Sequence, residues 1–280
     1  MRIRRDLVLS LAAALCCASA AGAITSAAAP SAQEARHPVG DRNPCAVPQI
    51  RKERGLLCPD LTMSRPSDLQ AARAGNHWVL RAASSVNSVG RGPAELHGHR
   101  NGWHSMQASQ RVHKKGGGVA RLHTNAKLHF KMIPGQGRYW KFHNAARFEL
   151  WSLNRKGERK RRVATGPKVD YCLRDLVHTG PGRPHSPGGM VYPGCSQNPN
   201  RNSVTLGTSV GWSDVYPAGY HEQFIRTKKV RSSGCYAFVM IVDPTNKILE
   251  LNEGNNRAAK SVFLTKSGKY KPGRCDGARN

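Results

Sequence analysis

An all-β sandwich is the fold class that this sequence predicts, and three observations predict it. The strand-like stretches are short and are separated by Gly, Pro and Asn turns. One of them, Tyr236-Ala237-Phe238-Val239-Met240-Ile241-Val242, is continuously apolar between Gly234 and Asp243-Pro244, as a strand buried on both faces is. Long amphipathic helical patterns are absent, which leaves only a short candidate helical turn at 66–73.

Taken in chain order, residues 1–23 read as a secretory signal. Arg2, Arg4 and Arg5 precede an apolar run from Leu7 to Cys17, and small residues with Ala-x-Ala spacing follow. That run is shorter than the roughly 20 residues that span a bilayer, so the sequence predicts a secreted protein with no transmembrane anchor. Residues 24–56, rich in Ala, Ser and Pro at the start, read as a disordered linker and N-terminal extension. A single domain is expected over 57–265, with strands at 78–86, 118–130, 142–153, 235–242 and 261–264. Between them, 178–201 is a long Gly- and Pro-rich loop, of the kind that is either functional or mobile. Residues 266–280 form a basic C-terminal tail.

Two of the eight cysteines, Cys16 and Cys17, fall in the signal. The remaining Cys45, Cys58, Cys172, Cys195, Cys235 and Cys275 are even in number and lack paired Cys-x-x-Cys spacing, so they read as disulfides rather than zinc ligands. Six cysteines allow about fifteen connectivities. Short loops favour Cys45 with Cys58 and Cys172 with Cys195, which leaves Cys235 with Cys275.

The formal net charge is +27, from 44 Lys and Arg against 17 Asp and Glu. Such an excess favours anionic partners. It is densest at 155–162 and 226–231, which read as loops beside strands. These runs predict either solvated edge protection or docking to anionic cell-envelope polymers or acidic proteins, with cell-wall association as the outcome. They lack interleaved aromatics and any nucleic-acid motif, so a specific nucleic-acid role is not expected.

Several segments, in order, resemble the lysyl oxidase family. They are Pro59-Asp60-Leu61, the Gly- and Pro-bearing stretch at 87–96, the strand ending Ala146-Arg147-Phe148-Glu149-Leu150, the segment Gly166-Pro167-Lys168-Val169-Asp170-Tyr171-Cys172, and Gly211-Trp212-Ser213-Asp214-Val215-Tyr216. The resemblance implies an Ig-like β-sandwich of the lysyl oxidase catalytic-domain type. It also implies a copper-dependent oxidase of primary amines, whose lysine tyrosylquinone cofactor is built from a Lys and a Tyr. Lys168 and Tyr216 match those precursors, and Asp214 is a candidate base.

The resemblance further implies three copper-binding histidines at alternating positions. They would fall on Lys141, Tyr139 and either Gly137 or Gln136, around the matching Trp140, and none of these is a histidine. His129 and His143 stand nearby as substitute ligands, and His97, His99 and His104 form a second group expected in a loop. The resemblance also places a calcium site on Asp60, Leu61, Glu250, Asn252, Asn255 and Asn256, whose hard oxygens suit that ion. The expected function is a secreted, lysyl-oxidase-like protein without copper-dependent activity, acting as a basic envelope-associated binding or structural protein. The alternative is an active quinone-dependent oxidase of primary amines or peptidyl-lysine with unconventional copper ligands.

Overall fold

The computed structural model describes residues 43–275. The expected signal at 1–23, the linker up to residue 42 and residues 276–280 lie outside the described residues. A short helix, Pro48–Glu53 (α1), is followed by Leu56–Leu57 (β1), Leu61–Met63 (β2), Ser67–Ala74 (β3), His77–Ser88 (β4), Ala94–Gly102 (β5), Ser105–Lys114 (β6), Val119–Ile133 (β7) and Gly137–Leu153 (β8). The chain continues through Arg159–Thr165 (β9), Val169–Tyr171 (β10), Val177–His178 (β11), Ser203–Thr208 (β12), Trp212–Tyr216 (β13), Phe224–Arg226 (β14), Gly234–Val242 (β15), Arg257–Leu264 (β16) and Tyr270–Lys271 (β17).

These strands form two antiparallel sheets. The larger runs β12-β5-β6-β7-β8-β15-β16-β17, with β1 on β6 and both β9 and β10 on β8; the smaller runs β11-β13-β4-β14, with β2 and β3 also on β4. One buried cluster draws on both: Leu80, Ala82 and Val86 from the small sheet meet Leu96, Leu128, Trp140, Phe142, Phe148 and Phe238 from the large one. The fold is therefore all-β, with its main core between two facing sheets. β15 earns its central place because Ala237, Val239 and Ile241 bury a second cluster on the opposite face, against Trp151 and Leu153.

Several sequence expectations are corrected. Residues 66–73 do not form a helical turn: Ser67–Ala74 is a strand, because the Gly75 turn, at φ +58°, folds it back onto β4. His97 and His99 lie not in a loop but in β5, laddered to β12 and β6, and only His104 sits in a turn. The basic run at 155–162 is a hairpin tip only as far as Glu158, and Arg159 to Arg162 belong to β9. The stretch drawn as linker to residue 56 is folded from Asn43, with Cys45 fully buried. The C-terminal tail likewise packs as far as Cys275.

Three disulfides form, Cys45–Cys58 and Cys172–Cys195 as short loops favoured and Cys235–Cys275 as the remaining pair. No helix among the described residues is long and apolar enough to cross a membrane.

Candidate functional site

Four tyrosines and one lysine converge where β8, β10 and β13 meet. Tyr216 ends β13 and stacks on Tyr171 of β10, with ring centroids 3.8 Å apart, while the Tyr220 ring lies tilted 4.9 Å from it. The Tyr216 hydroxyl donates to Asp214 Oδ2 at 2.5 Å and accepts from the Cys172 N–H at 3.0 Å. Asp214 is fully buried, and its second oxygen lies 3.8 Å from Arg174 Nε. Burial pushes its carboxyl up to about 7, against the opposing pull of the Tyr216 hydrogen bond. The Tyr216 phenol is held well above its ordinary value, first by burial and then by the Asp214 charge.

The amine that reaches this cluster is Lys141. It is 1% exposed, donates to the Tyr220 hydroxyl at 2.8 Å and lies 5.0 Å above the Tyr220 ring. Burial pushes its ammonium down to about 8, although Asp170 and Glu222 pull the other way. Lys141, Tyr139, Arg174, Tyr216 and Tyr220 line a cavity of about 210 Å³, with the Cys172–Cys195 disulfide in its wall. Lys168 is exposed, one residue before β10, with no hydrogen bond or ion pair among the described residues. Tyr139 turns its hydroxyl to the Gln136 carbonyl at 2.7 Å, and Gly137 has no side chain to offer.

The long Gly- and Pro-rich loop is tied to this site rather than free. Trp140 donates its backbone N–H to the Ser196 carbonyl and its indole N–H to the Asn198 carbonyl, both at 3.0 Å. Asp175 accepts from the N–H groups of Val191, Tyr192 and Ser209. The loop's start at Gly180 is met by Gly211, between β12 and β13, which has φ +78°; a Cβ there would lie 2.4 Å from the Gly180 carbonyl oxygen, so only glycine lets the two segments meet.

Beside the tyrosines, on the same face of β7 and β8, His129 and His143 stack with centroids 4.1 Å apart, and His143 Nδ1 lies 3.1 Å from Asp170 Oδ1.

A third cluster joins the two ends of the chain. Glu250 is fully buried; its Oε2 accepts the Leu61 N–H and its Oε1 accepts from Asn256 at 2.9 Å. Asn255 donates to Asp60 at 2.9 Å. Asn43 reaches across to the Glu250 carbonyl and to Glu253. Gly90 lets the backbone that carries Asp60 come close, since a Cβ there would sit 2.4 Å from the Asp60 nitrogen.

Burial raises the carboxyls of Asp60 and Glu250, that of Glu253 to about 7 and that of Asp243 to about 6; neighbouring acids add to the rise at Glu250 and Glu253. Buried oxygens of Asp243, Glu253, Asn255 and Asn256 have no hydrogen-bond partner among the described residues. Asn252 stays exposed and caps its own turn through the Gly254 N–H. Of the six expected residues, Asp60, Glu250, Asn255 and Asn256 come together by side chain, Leu61 meets them through its N–H, and Asp243, Glu253 and Asn43 were not anticipated. This is a hard-oxygen set of the type that suits a calcium-like cation.

The first basic run borders a cavity at one end of the large sheet. A cavity of about 680 Å³ lies between Arg155 and Lys156 on the β8–β9 turn and Ser232 to Tyr236 at the start of β15, just after Arg231. Arg162 is exposed but paired with buried Glu149 at 2.8 Å, and Arg159, Lys160 and Arg161 are exposed along the same edge strand.

Comparison with known proteins finds no curated protein that matches the chain. The family model for lysyl oxidase does match, over residues 106–271. That span runs from β6 to β17 and contains the tyrosine cluster, the stacked histidines and most of the acidic turn. It covers more than half of the sequence and fits the all-antiparallel fold, so the chain belongs to the lysyl oxidase family.

Proposed function

We propose that this chain is an exported, calcium-stabilised member of its family that has given up copper-dependent amine oxidation and serves as a basic binding or structural protein at anionic envelope polymers. Members of the family are generally copper-dependent, so the copper positions decide the matter. The observation that carries the proposal is Lys141, a buried ammonium where the resemblance puts a copper-binding imidazole. An ammonium has no lone pair to give and repels a cation. Tyr139 and Gly137 supply no imidazole either, so the residues present do not fit copper at those positions.

The acidic cluster fits its ion. Asp243, Glu250 and Glu253 with Asp60, Asn255 and Asn256 would hold calcium, and the partnerless buried oxygens support this. Bound calcium supplies charge compensation and ties the opening strands to the last third of the chain. The anionic partner is favoured by the first basic run beside one open cavity, where polymer charge would find Arg155, Lys156 and the exposed β9 cations. Export is supported by the N-terminal pattern and by three disulfides.

The alternative, an oxidase that recruits His129 and His143 for copper, is favoured by the stacking of those two rings alone. Metal analysis with a visible spectrum separates the two. Protein incubated with copper and calcium and then dialysed is expected to retain calcium, show no quinone band and consume no oxygen with primary amines. Copper-dependent amine turnover that is lost in Tyr216→Phe would overturn the proposal.

A further inference from the structure

Three adjacent strands bring together two imidazoles and a carboxylate that the proposed function does not use. His129 faces Lys141 across the β7–β8 ladder, so His143, two residues along β8, is its diagonal neighbour on the same face. Asp170 enters from β10, which pairs with β8. One ligand atom from each of the three lies within 4.8 Å of the others. The His143–Asp170 separation of 3.1 Å is close to the roughly 3.4 Å between two ligands of a tetrahedral ion with bonds of about 2.1 Å.

The surroundings favour a cation over a hydrogen-bonded His–Asp pair. His129 has no hydrogen-bond partner among the described residues, although it is packed flat against His143. A pair held only for structure leaves no reason for a second, unpartnered imidazole to stack on it. Asp170 is 3% exposed and is oriented by the Asn144 N–H, which donates to Oδ1 at 2.8 Å. Lys131 lies 3.4 Å from Asp170 Oδ2, but it is hydrogen-bonded to both oxygens of Glu222 at 2.8 and 2.9 Å. Lys131 and Lys141 both feel Asp170 and Glu222, so the two carboxylates offset the two ammoniums beside the cluster.

We propose that His129, His143 and Asp170 bind one divalent transition-metal ion of the zinc class, with a coordination position open to the cavity of about 490 Å³ lined by His104, Ser105, Phe130 and Lys131. Two imidazoles and a carboxylate are a borderline N/O set that suits zinc, unlike the oxygen-only cluster at Glu250. Each ligand sits on a strand of the large sheet, so the set is held by the ladder and not by a loop. This site lies two residues along β8 from Lys141 and does not depend on the function proposed above.

The test is calorimetric titration of the calcium-saturated protein with Zn²⁺ alone, with Co²⁺ as an optical probe of coordination. One site is expected, weakened at least about tenfold in His129→Ala and in His143→Ala and unchanged in His99→Ala. His129 makes no hydrogen bond, so its variant keeps the Tm of the parent without zinc and loses only the zinc-induced rise. Absence of saturable zinc binding, equal binding in both the His129 and His143 variants, or loss of binding in His99→Ala would overturn the site. Amine oxidase activity that persists in His129→Ala and His143→Ala would overturn the proposed function and leave this site standing, whereas failure to bind zinc would overturn this site and leave the proposed function standing.

Discussion

Replacing Lys141 by Met should stabilise the protein. The Lys141 ammonium is pushed from 10.5 down to about 8 by burial, and at about 1.36 kcal/mol per unit that displacement amounts to roughly 3 kcal/mol of disfavoured charge at neutral pH. Methionine removes that charge, keeps most of the volume and loses one hydrogen bond to Tyr220, worth about 1 kcal/mol. The net gain is about 2 kcal/mol, or a Tm rise of about 4–8 °C for a domain of this size.

The pH dependence makes the test specific. The folded pKa lies below the unfolded one, so between pH 8 and 10.5 the folded state binds fewer protons, and the stability of the parent rises with pH there relative to the variant. The stability gap, measured by urea unfolding at pH 7, 8, 9 and 10, should be full at pH 7 and shrink by pH 10. A variant that is neutral or less stable at pH 7, or a gap that stays constant to pH 10, would refute the reasoning.

Three further outcomes are expected. The acids near Glu250 have folded pKa values above their unfolded ones, so the chelated protein should lose stability as pH rises from about 4 through about 7. Saturating calcium should cancel that loss and raise Tm, by about 2.7 kcal/mol of stabilisation at a hundredfold excess over Kd; a calcium-indifferent melting curve at pH 8 counts against the cluster. Tyr216→Phe leaves buried Asp214 Oδ2 without its donor and the Cys172 N–H without its acceptor, and should cost about 1–3 kcal/mol in denaturant unfolding. Neutralising Arg155, Lys156, Arg159 and Arg161 together should lower the salt concentration that elutes the protein from an anionic polymer, with folding unchanged; an unaltered elution point removes this end of the sheet from the binding surface.

How much of the molecule was legible depended on whether its inward positions are apolar. The buried strand at Tyr236 to Val242 declares itself because every residue in it is hydrophobic. β6 hid because an inward position carries Gln110, whose amide both donates to and accepts from Leu249. β5 hid because Gly98 fills the inward position between two histidines, where Leu128 would meet any Cβ at 2.6 Å. At the site, Tyr216, Asp214 and Glu250 could be picked out through the resemblance. Asp243 and Glu253 went unassigned because turn acids look the same whether or not their oxygens face inward. The burial of Lys141 was not legible either, since a lysine beside an aromatic reads as a surface residue until Tyr220 is found above it. Asp170 is not legible as a partner of His143 because only the β8–β10 ladder brings the two together.

The contacts of Asn43 with Glu250 and Glu253 and of Asn255 with Asp60 span 207, 210 and 195 positions of the sequence. Synthesis proceeds from the N-terminus, so a nascent chain shorter than about 250 residues carries one side of this knot and nothing to fasten it to. The sandwich can close only near the end of translation, which makes its folding rate sensitive to non-local pairing.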